Sequence, residues 1–469
     1  MLTTYYLLPL RLQKPWNYAQ LGLLIFPLMP LLGVIGLLLA LVGTWQQQRY
    51  KITHRPLNWV LAILAIWLAI ASSFAYRPLD AFLGLFNFLP FFGMFAVFSA
   101  LIQTPTQLRR LANILVITSV VVVFLGFGQL FWGWASPKQW EDILGALGCA
   151  IVPQGNPPGR MTSVFMYTNI LAGYLVIVFI LSLGLLLETF ERGVGELGTR
   201  EQGRGGEKSL ATRLWKDAIY RVSTTRHWPL ATRLFLFVAV VGNLVGLILT
   251  NSRNAWAIAV FAIVAFAVYQ GWRWLIVGVS AIASSVFLAA FGPAPLQQLL
   301  RPVIPGYFWQ RLTDQQFPNR PVVSLRTTQW QFAWNLAQQR PWTGWGLRNF
   351  QPLYEAKMHA WFGHPHNLFL MLAAEIGIPA TLVFCGCVAW VLYQAIGLLL
   401  KWSVSDRGEQ HYAGERLILF SYLVAFFACM LFNTVDVTIF DIRLNTLSWL
   451  LLSAICGVVY HQHASVEQK

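Results

Sequence analysis

Charge is what this chain most conspicuously lacks. Only 11% of its 469 residues are Asp, Glu, Lys or Arg, against about 25% in a soluble domain, which excludes an ordinary water-soluble globular fold. Acidic residues are the scarcest: 18 Asp and Glu stand against 33 Lys and Arg, a formal net charge of +15. No carboxylate-rich motif is present to hold a divalent cation. The five cysteines (Cys149, Cys385, Cys387, Cys429 and Cys456) lie mostly in apolar segments, with neither metal spacing nor an even-numbered disulfide framework. The first residues, MLTTYYLLPLRLQKPWNY, lack a charged start followed by a small-residue cleavage site, so no cleavable signal peptide is expected. There is no convincing internal repeat.

What fills the chain instead is apolar: 57% of residues are hydrophobic, and runs of about 18 or more recur. The fold class is therefore an all-α polytopic membrane protein. Ten clear spans fall near 57–75, 81–102, 111–134, 164–188, 233–251, 254–270, 273–291, 366–398, 415–434 and 444–461. The 21 tryptophans and 15 tyrosines suit helix ends at the lipid interface. Two kinds of linker alternate. One is basic (Arg49, Lys51 and Arg55; Arg109 and Arg110; 190–232; Arg273; Lys401, Arg407 and Arg416). The other is less so (135–163, 251–254, 292–365 and 435–443). Cytoplasmic loops collect Lys and Arg, so the basic set and both termini are expected inside and the second set outside. The same rule accounts for the net charge without nucleic acid. Residues 17–45 lie between two basic flanks and are short for two crossings. Pro27 and Pro30 divide them into a short hairpin, giving about twelve membrane helices with eleven as the fallback.

The chain thus divides into an N-terminal bundle (1–189), a flexible basic cytoplasmic loop (190–232), central helices (233–291), a large external loop (292–365) and C-terminal helices (366–469). The 190–232 segment is rich in Gly, Glu and Arg, with a basic amphipathic stretch from Leu210 to Val222 for the inner surface. The external loop carries helical pattern around Trp330, Phe332, Trp334 and Leu336, with Ser324 as its candidate cap, and RPWTGWG then breaks it. Gly344 and Gly346 read as a tight turn, since no P-loop lysine follows them.

Ionisable groups at membrane depth are costly and mark functional candidates. Arg253 sits in a turn too short to leave the interface (LTNSRNAW); the bland alternative is a capping arginine. Arg326 lies on the loop helix, where an exposed surface charge is equally natural, and Arg340 and Arg348 follow. His364 and His366, with His359 upstream, have ligand-competent spacing, but the basic surroundings disfavour a dication. A neutral imidazole that accepts a proton fits better, and a polar helix cap remains open. Glu375 lies inside a span, and Asp436 and Asp441 stand in FNTVDVTIFDIR. Glu375 is expected to pair with an arginine. The two aspartates could steady an imidazole or an arginine, and structural pairing weighs as much as catalysis for each. Several arginines with one or two imidazoles on the outer face suit a lipid-linked phosphate or diphosphate arriving sideways from the bilayer.

These residues resemble the O-antigen ligase and polymerase superfamily of the Wzy/WaaL type. The matching pieces are TNSRNAW, RPWTGWG at 340–346, and His366-Asn367 followed nine residues later by Gly377-Ile378-Pro379-Ala380. Ala380 departs from the usual Gly, Thr or Val. RMTSVFMYTNILAGYL (160–175) is similar to a further family segment, with Tyr167-Thr168-Asn169 where Asn-Pro-Asn is usual. The likeness is detailed over about 233–400. It implies a GT-C-like membrane glycosyltransferase of the bacterial inner membrane that moves a glycan from undecaprenyl diphosphate to a lipid or glycan acceptor, as in lipopolysaccharide and other surface polysaccharides, with no metal or other cofactor. In that reading His366 is the catalytic residue and Arg253 and Arg326 grip the diphosphate; Arg348 and Arg160 are further candidate diphosphate ligands, with Asn367, His364, Glu375 and Asp436 as candidates in support. Cyanobacterial members labelled bicarbonate transporters are also similar, which makes inorganic-carbon transport the alternative.

Overall fold

The computed structural model describes residues 10–202, 230–313, 321–405 and 413–467. Among these the chain forms helices and no strand, as expected where the solvent offers no hydrogen-bond partners and each segment must satisfy its own backbone. Helices α1 (Leu10–Ile25) and α2 (Pro30–Thr53) are followed by α3 (Pro56–Ser73), α4 (Pro78–Gly84), α5 (Leu89–Leu101) and α6 (Pro105–Phe131). Short α7 (Glu141–Ala146) precedes long α8 (Thr168–Gln202). Then come α9 (Leu230–Leu249), α10 (Arg253–Tyr269) and α11 (Arg273–Phe291). A capping segment follows, made of α12 (Ala294–Leu300), α13 (Gly306–Leu312), α14 (Arg326–Gln339), α15 (Phe350–Met358) and α16 (Leu368–Ile376). The chain closes with α17 (Ile378–Ser405), α18 (Ala413–Asn433) and α19 (Ile442–Glu467).

Proline at the first turn starts α2, α3, α4 and α6, where its missing N–H costs no bond. Thr104 and Gln107 add a capping box to α6. Among the described residues ten helices, with α4 and α5 counted as one crossing, are long and apolar enough to span a membrane, and the 17-residue α10 is an eleventh apolar helix. The N-terminal hairpin is present and longer than 17–45: its arms run on through the basic flanks to Leu10 and Thr53. The arms touch through glycine, since a Cβ on Gly36 would stand 2.7 Å from the Cα of Gly22.

Three expectations need correcting. The span drawn at 366–398 does divide at the expected Gly377-Ile378-Pro379 bend, but its bounds shift: Gly377 (φ +84) ends α16, and α17 alone is long enough for the crossing. Ser324 does not cap the loop helix; its hydroxyl donates to the Pro321 carbonyl, and Leu325 occupies the cap position. The helix before the 190–232 segment continues to Gln202 despite Gly193, Gly195 and Gly198, because extending a formed helix avoids the cost of nucleation. The amphipathic stretch 210–222 lies outside the described residues.

The 168–190 and 442–463 spans are each 89% buried and form the centre of the bundle, whereas 273–291, at 11%, lies at its rim. Close packing at the centre again relies on glycine: a Cβ on Gly184 would strike the Ser421 hydroxyl, and one on Gly457 the Ile102 carbonyl. The linkers sort by end as the charge pattern predicts. At one end the Met161 amide donates to Leu249, Tyr76 to Trp345, and the Asn367 side chain to Thr434. Arg443 fastens that end by donating to the carbonyls of Pro27 (3.1 Å), Val164 (3.1 Å) and Gly148. The opposite end holds Lys51 with Gln103, Arg55 with Ser99, and Arg233 with the Thr189 carbonyl.

Candidate active site

The cap is built on a small core of its own, in which Phe332, Leu336, Phe350 and Tyr354 pack against Ala374 of α16. RPWTGWG is drawn along that helix's end. Trp345 N donates to the Ala374 carbonyl (2.9 Å), Gly346 N to that of Glu375 (2.8 Å), and Ile378 N to that of Pro341 (2.7 Å). Gly344 (φ +66) and Gly346 (φ +97) are turn glycines, as the sequence indicates. This seam fixes where the chain re-enters the bundle and so sets the His364-Pro365-His366-Asn367 loop.

His366 (φ +53) brings its ring to the loop between α18 and α19, where Nδ1 lies 3.2 Å from Oδ1 of Asp436. Asp436 is 7% exposed and fully engaged: the Val437 amide donates to Oδ1 (2.9 Å) and the Asn169 side chain to Oδ2 (2.9 Å). His364 stands edge-on to His366, with centroids 4.6 Å apart, accepts the His366 amide at Nδ1 (3.2 Å), and stacks on Phe440. Asn367 caps α16 through the Leu370 amide (3.0 Å) and reaches the Thr434 carbonyl (3.0 Å). It therefore locks the loop to the bundle and does not face the cavity.

Arg326, at the first position of α14, is a charged neighbour of both His364 and Tyr167, and Arg160 is a second neighbour of Tyr167. A cavity of about 200 Å³ is lined by Tyr167, Asn169, His364, Asp436 and Phe440. Burial, reinforced by His366 and Arg326 and only partly opposed by Asp436, pushes the His364 imidazole down to about 4, so it is neutral at physiological pH. Burial pushes the Asp436 carboxyl up, but the hydrogen bond from His366 and the two nearby imidazoles outweigh it and hold the group below its ordinary range.

The other arginines sit further out. Arg160 donates to the carbonyls of Thr250 (2.9 Å) and Asn251 (2.6 Å), tying the turn before α10 to the site. Arg253 begins α10 on that turn and donates to the Leu312 carbonyl (3.4 Å). Arg348 (φ +61) is on the opposite flank, 6.0 Å from the centre of the Phe440 ring. Arg340 is structural, stacked on Trp345 at 4.1 Å. Glu375 has no arginine within ion-pair distance; its buried carboxyl accepts the Phe350 amide (3.1 Å), with Arg348 of the same turn as a more distant charged neighbour. Asp441 does not reach an imidazole either, and accepts the amides of Arg443 and Leu444 at the start of α19 (3.0 Å each). Asn169 is the residue that sequence reasoning left without a role. Its signal was its place in the Tyr167-Thr168-Asn169 element.

His364, His366 and Asp436 offer three donor atoms within 4.8 Å of one another, a spacing that a metal ion would accept. The charges of Arg326 and Arg160 alongside oppose a dication and favour an anion. Fold and site together define a polytopic all-α membrane protein in which a half-buried histidine meets a buried aspartate beside arginines at one end of the bundle. Residues 238–385 match the family model described as O-antigen ligase. No curated protein matches the chain. Nothing in the family match supports transport of inorganic carbon.

Proposed function

We propose that the chain is a membrane glycosyltransferase that moves a glycan from undecaprenyl diphosphate to a hydroxyl of a lipid or glycan acceptor, at the outer face of the bacterial inner membrane. The observation that carries this is the contact of His366 Nδ1 with Asp436 beside the Arg326 guanidinium. Asp436 holds the imidazole by Nδ1 and leaves Nε2 to take a proton from the acceptor hydroxyl. As that oxygen bonds the anomeric carbon, the bond from the carbon to the diphosphate oxygen breaks, and the electron pair leaves with the diphosphate. Arg326 stabilises the departing charge, with Arg160, Arg253 and Arg348 around it; arginine remains charged throughout and matches phosphate oxygens in pairs. No metal is needed for either role. The basic linkers at the opposite end of the bundle support cytoplasmic termini.

The test uses purified protein in lipid nanodiscs with a polyprenyl-diphosphate glycan and the native acceptor, with release of polyprenyl diphosphate as the readout. Arg326→Ala is expected to lower the rate by about 10²–10³, as for the loss of one charge-stabilising donor. A rate unchanged in both Arg326→Ala and Arg253→Ala would remove the diphosphate from this site.

A further inference from the structure

The loop that leads into α8 carries two strained positions. Ser163 (φ +51) and Met166 (φ +58) both adopt the left-handed region without being glycine. Such conformations persist only where the surroundings over-determine them, and they gather at functional sites. Here buried Gln129 of α6 accepts the amides of Thr162 (3.0 Å) and Ser163 (2.8 Å) and donates to the Val152 carbonyl (2.7 Å). The Ser163 hydroxyl donates to the Val122 carbonyl (2.7 Å), and the Thr168 hydroxyl to that of Met161 (2.8 Å). What the clamped loop presents is Tyr167, 42% exposed in the wall of the polar cavity. Of the titratable residues that line this cavity, Tyr167 alone has both Arg160 and Arg326 as charged neighbours, with Asp436 as a third. Its hydroxyl makes no hydrogen bond among the described residues. Tyr354, whose role is structural, is the contrast: it is fully buried, and its hydroxyl donates to the Val323 carbonyl (2.6 Å).

We propose that Tyr167 is a further catalytic residue, whose hydroxyl donates a hydrogen bond to a phosphate oxygen of the lipid-linked diphosphate held by Arg160 and Arg326. The inference rests on the reading above that such a diphosphate is the glycan donor. Burial and the Asp436 charge push the phenol up, against the two guanidiniums, so it keeps its proton at neutral pH and meets the ligand as a donor. The two cations select a negatively charged acceptor over a neutral sugar hydroxyl. A hydrogen bond to a charged oxygen is stronger than one between neutral groups, and it strengthens further as charge collects on the departing diphosphate. The strain at Ser163 and Met166 holds the hydroxyl in place before the ligand arrives, so no ordering is left for the reaction itself to supply.

Tyr167→Phe removes the hydroxyl and nothing else. Full-length protein in phosphatidylcholine nanodiscs is titrated with a prenyl diphosphate, and transfer from a polyprenyl-diphosphate glycan is measured in parallel. The variant is expected to bind the prenyl diphosphate about tenfold more weakly and to transfer at least tenfold more slowly, the effect of one lost hydrogen bond to a charged group. Its unfolding midpoint without ligand is expected to equal that of the wild type. A lowered midpoint would make the hydroxyl a structural tie and overturn the proposal. Wild-type binding and transfer in the variant would overturn it too, and would leave the transferase reading intact. An equal loss of affinity for short-chain phosphatidylglycerol would assign the hydroxyl to lipid phosphates at large and overturn its role toward the donor. Wild-type protein that neither binds the prenyl diphosphate nor transfers glycan would overturn the donor reading and Tyr167 with it.

Discussion

The Nδ1 of His366 lies 3.2 Å from Oδ1 of Asp436, joining two residues 70 positions apart in the chain. One comes from the mouth of α16 and the other from the turn between α18 and α19, and Asn169 at the start of α8 holds the free carboxylate oxygen. Three separate elements therefore meet at a single carboxylate.

Asp436→Asn removes the negative charge while keeping the shape. The amide cannot stabilise the imidazolium that forms as the proton arrives, so transfer is expected to fall by about 10²–10⁴. Asn169→Ala acts only through the carboxylate and is expected to cost less. Steady-state rates of both variants at matched expression check the ranking; an Asp436→Asn enzyme of wild-type rate would separate the carboxylate from catalysis.

Glu375 serves the cap. Its carboxylate receives the Phe350 amide, and Glu375→Ala leaves that donor buried without a partner, at a cost of about 1–3 kcal/mol. Glu375→Gln keeps an accepting oxygen and is expected to stay near wild type in stability. Thermal unfolding in nanodiscs distinguishes this role from arginine pairing, for which the two variants would be equally harmful.

Gly377→Ala is expected to be more disruptive than its size implies. The residue sits at φ +84, and a Cβ there would meet the Trp342 carbonyl, so the seam between RPWTGWG and α17 must open. A loss of about 1–3 kcal/mol, together with impaired transfer because His366 is moved, should appear in unfolding and rate measurements. Ala at Gly278, where nothing lies nearby, is the neutral comparison.

The pH response follows from His364. Its folded value of about 4 lies below the ordinary 6.5, so between those limits the unfolded chain takes up a proton that the folded chain refuses. Its contribution to stability therefore declines as pH falls from 6.5 to 4 and levels off below. Asp436, held below its ordinary value, keeps its own contribution through that window and loses it only at lower pH. The unfolding midpoint is expected to fall between pH 7 and pH 5, and less steeply in His364→Asn.

The sequence made the membrane helices and the two ends of the bundle legible, because hydropathy and the placement of Lys and Arg are local properties. Arg253 and His366 were legible as motif residues. Asp436 could be named, yet its partner could not be chosen over Asp441, since both aspartates sit in one short linker and only the packing of α18 against α19 separates them. Glu375 was only partly legible for a related reason: Arg348 is its charged neighbour, but a buried carboxyl in a sequence shows no sign of the backbone amides that a distant turn brings to it. Asn169 stayed silent because its task exists only after α8 docks beside residues 267 positions away.

The most direct test of the central claim is the surface-polysaccharide pattern of a strain lacking the native gene and complemented with His366→Ala, checked for normal membrane insertion of the variant. Loss of the glycan ladder, restored by the wild-type chain, is the predicted result. A normal ladder from the inserted variant would contradict His366 as the catalytic residue, and with it the glycosyl-transfer account of this site.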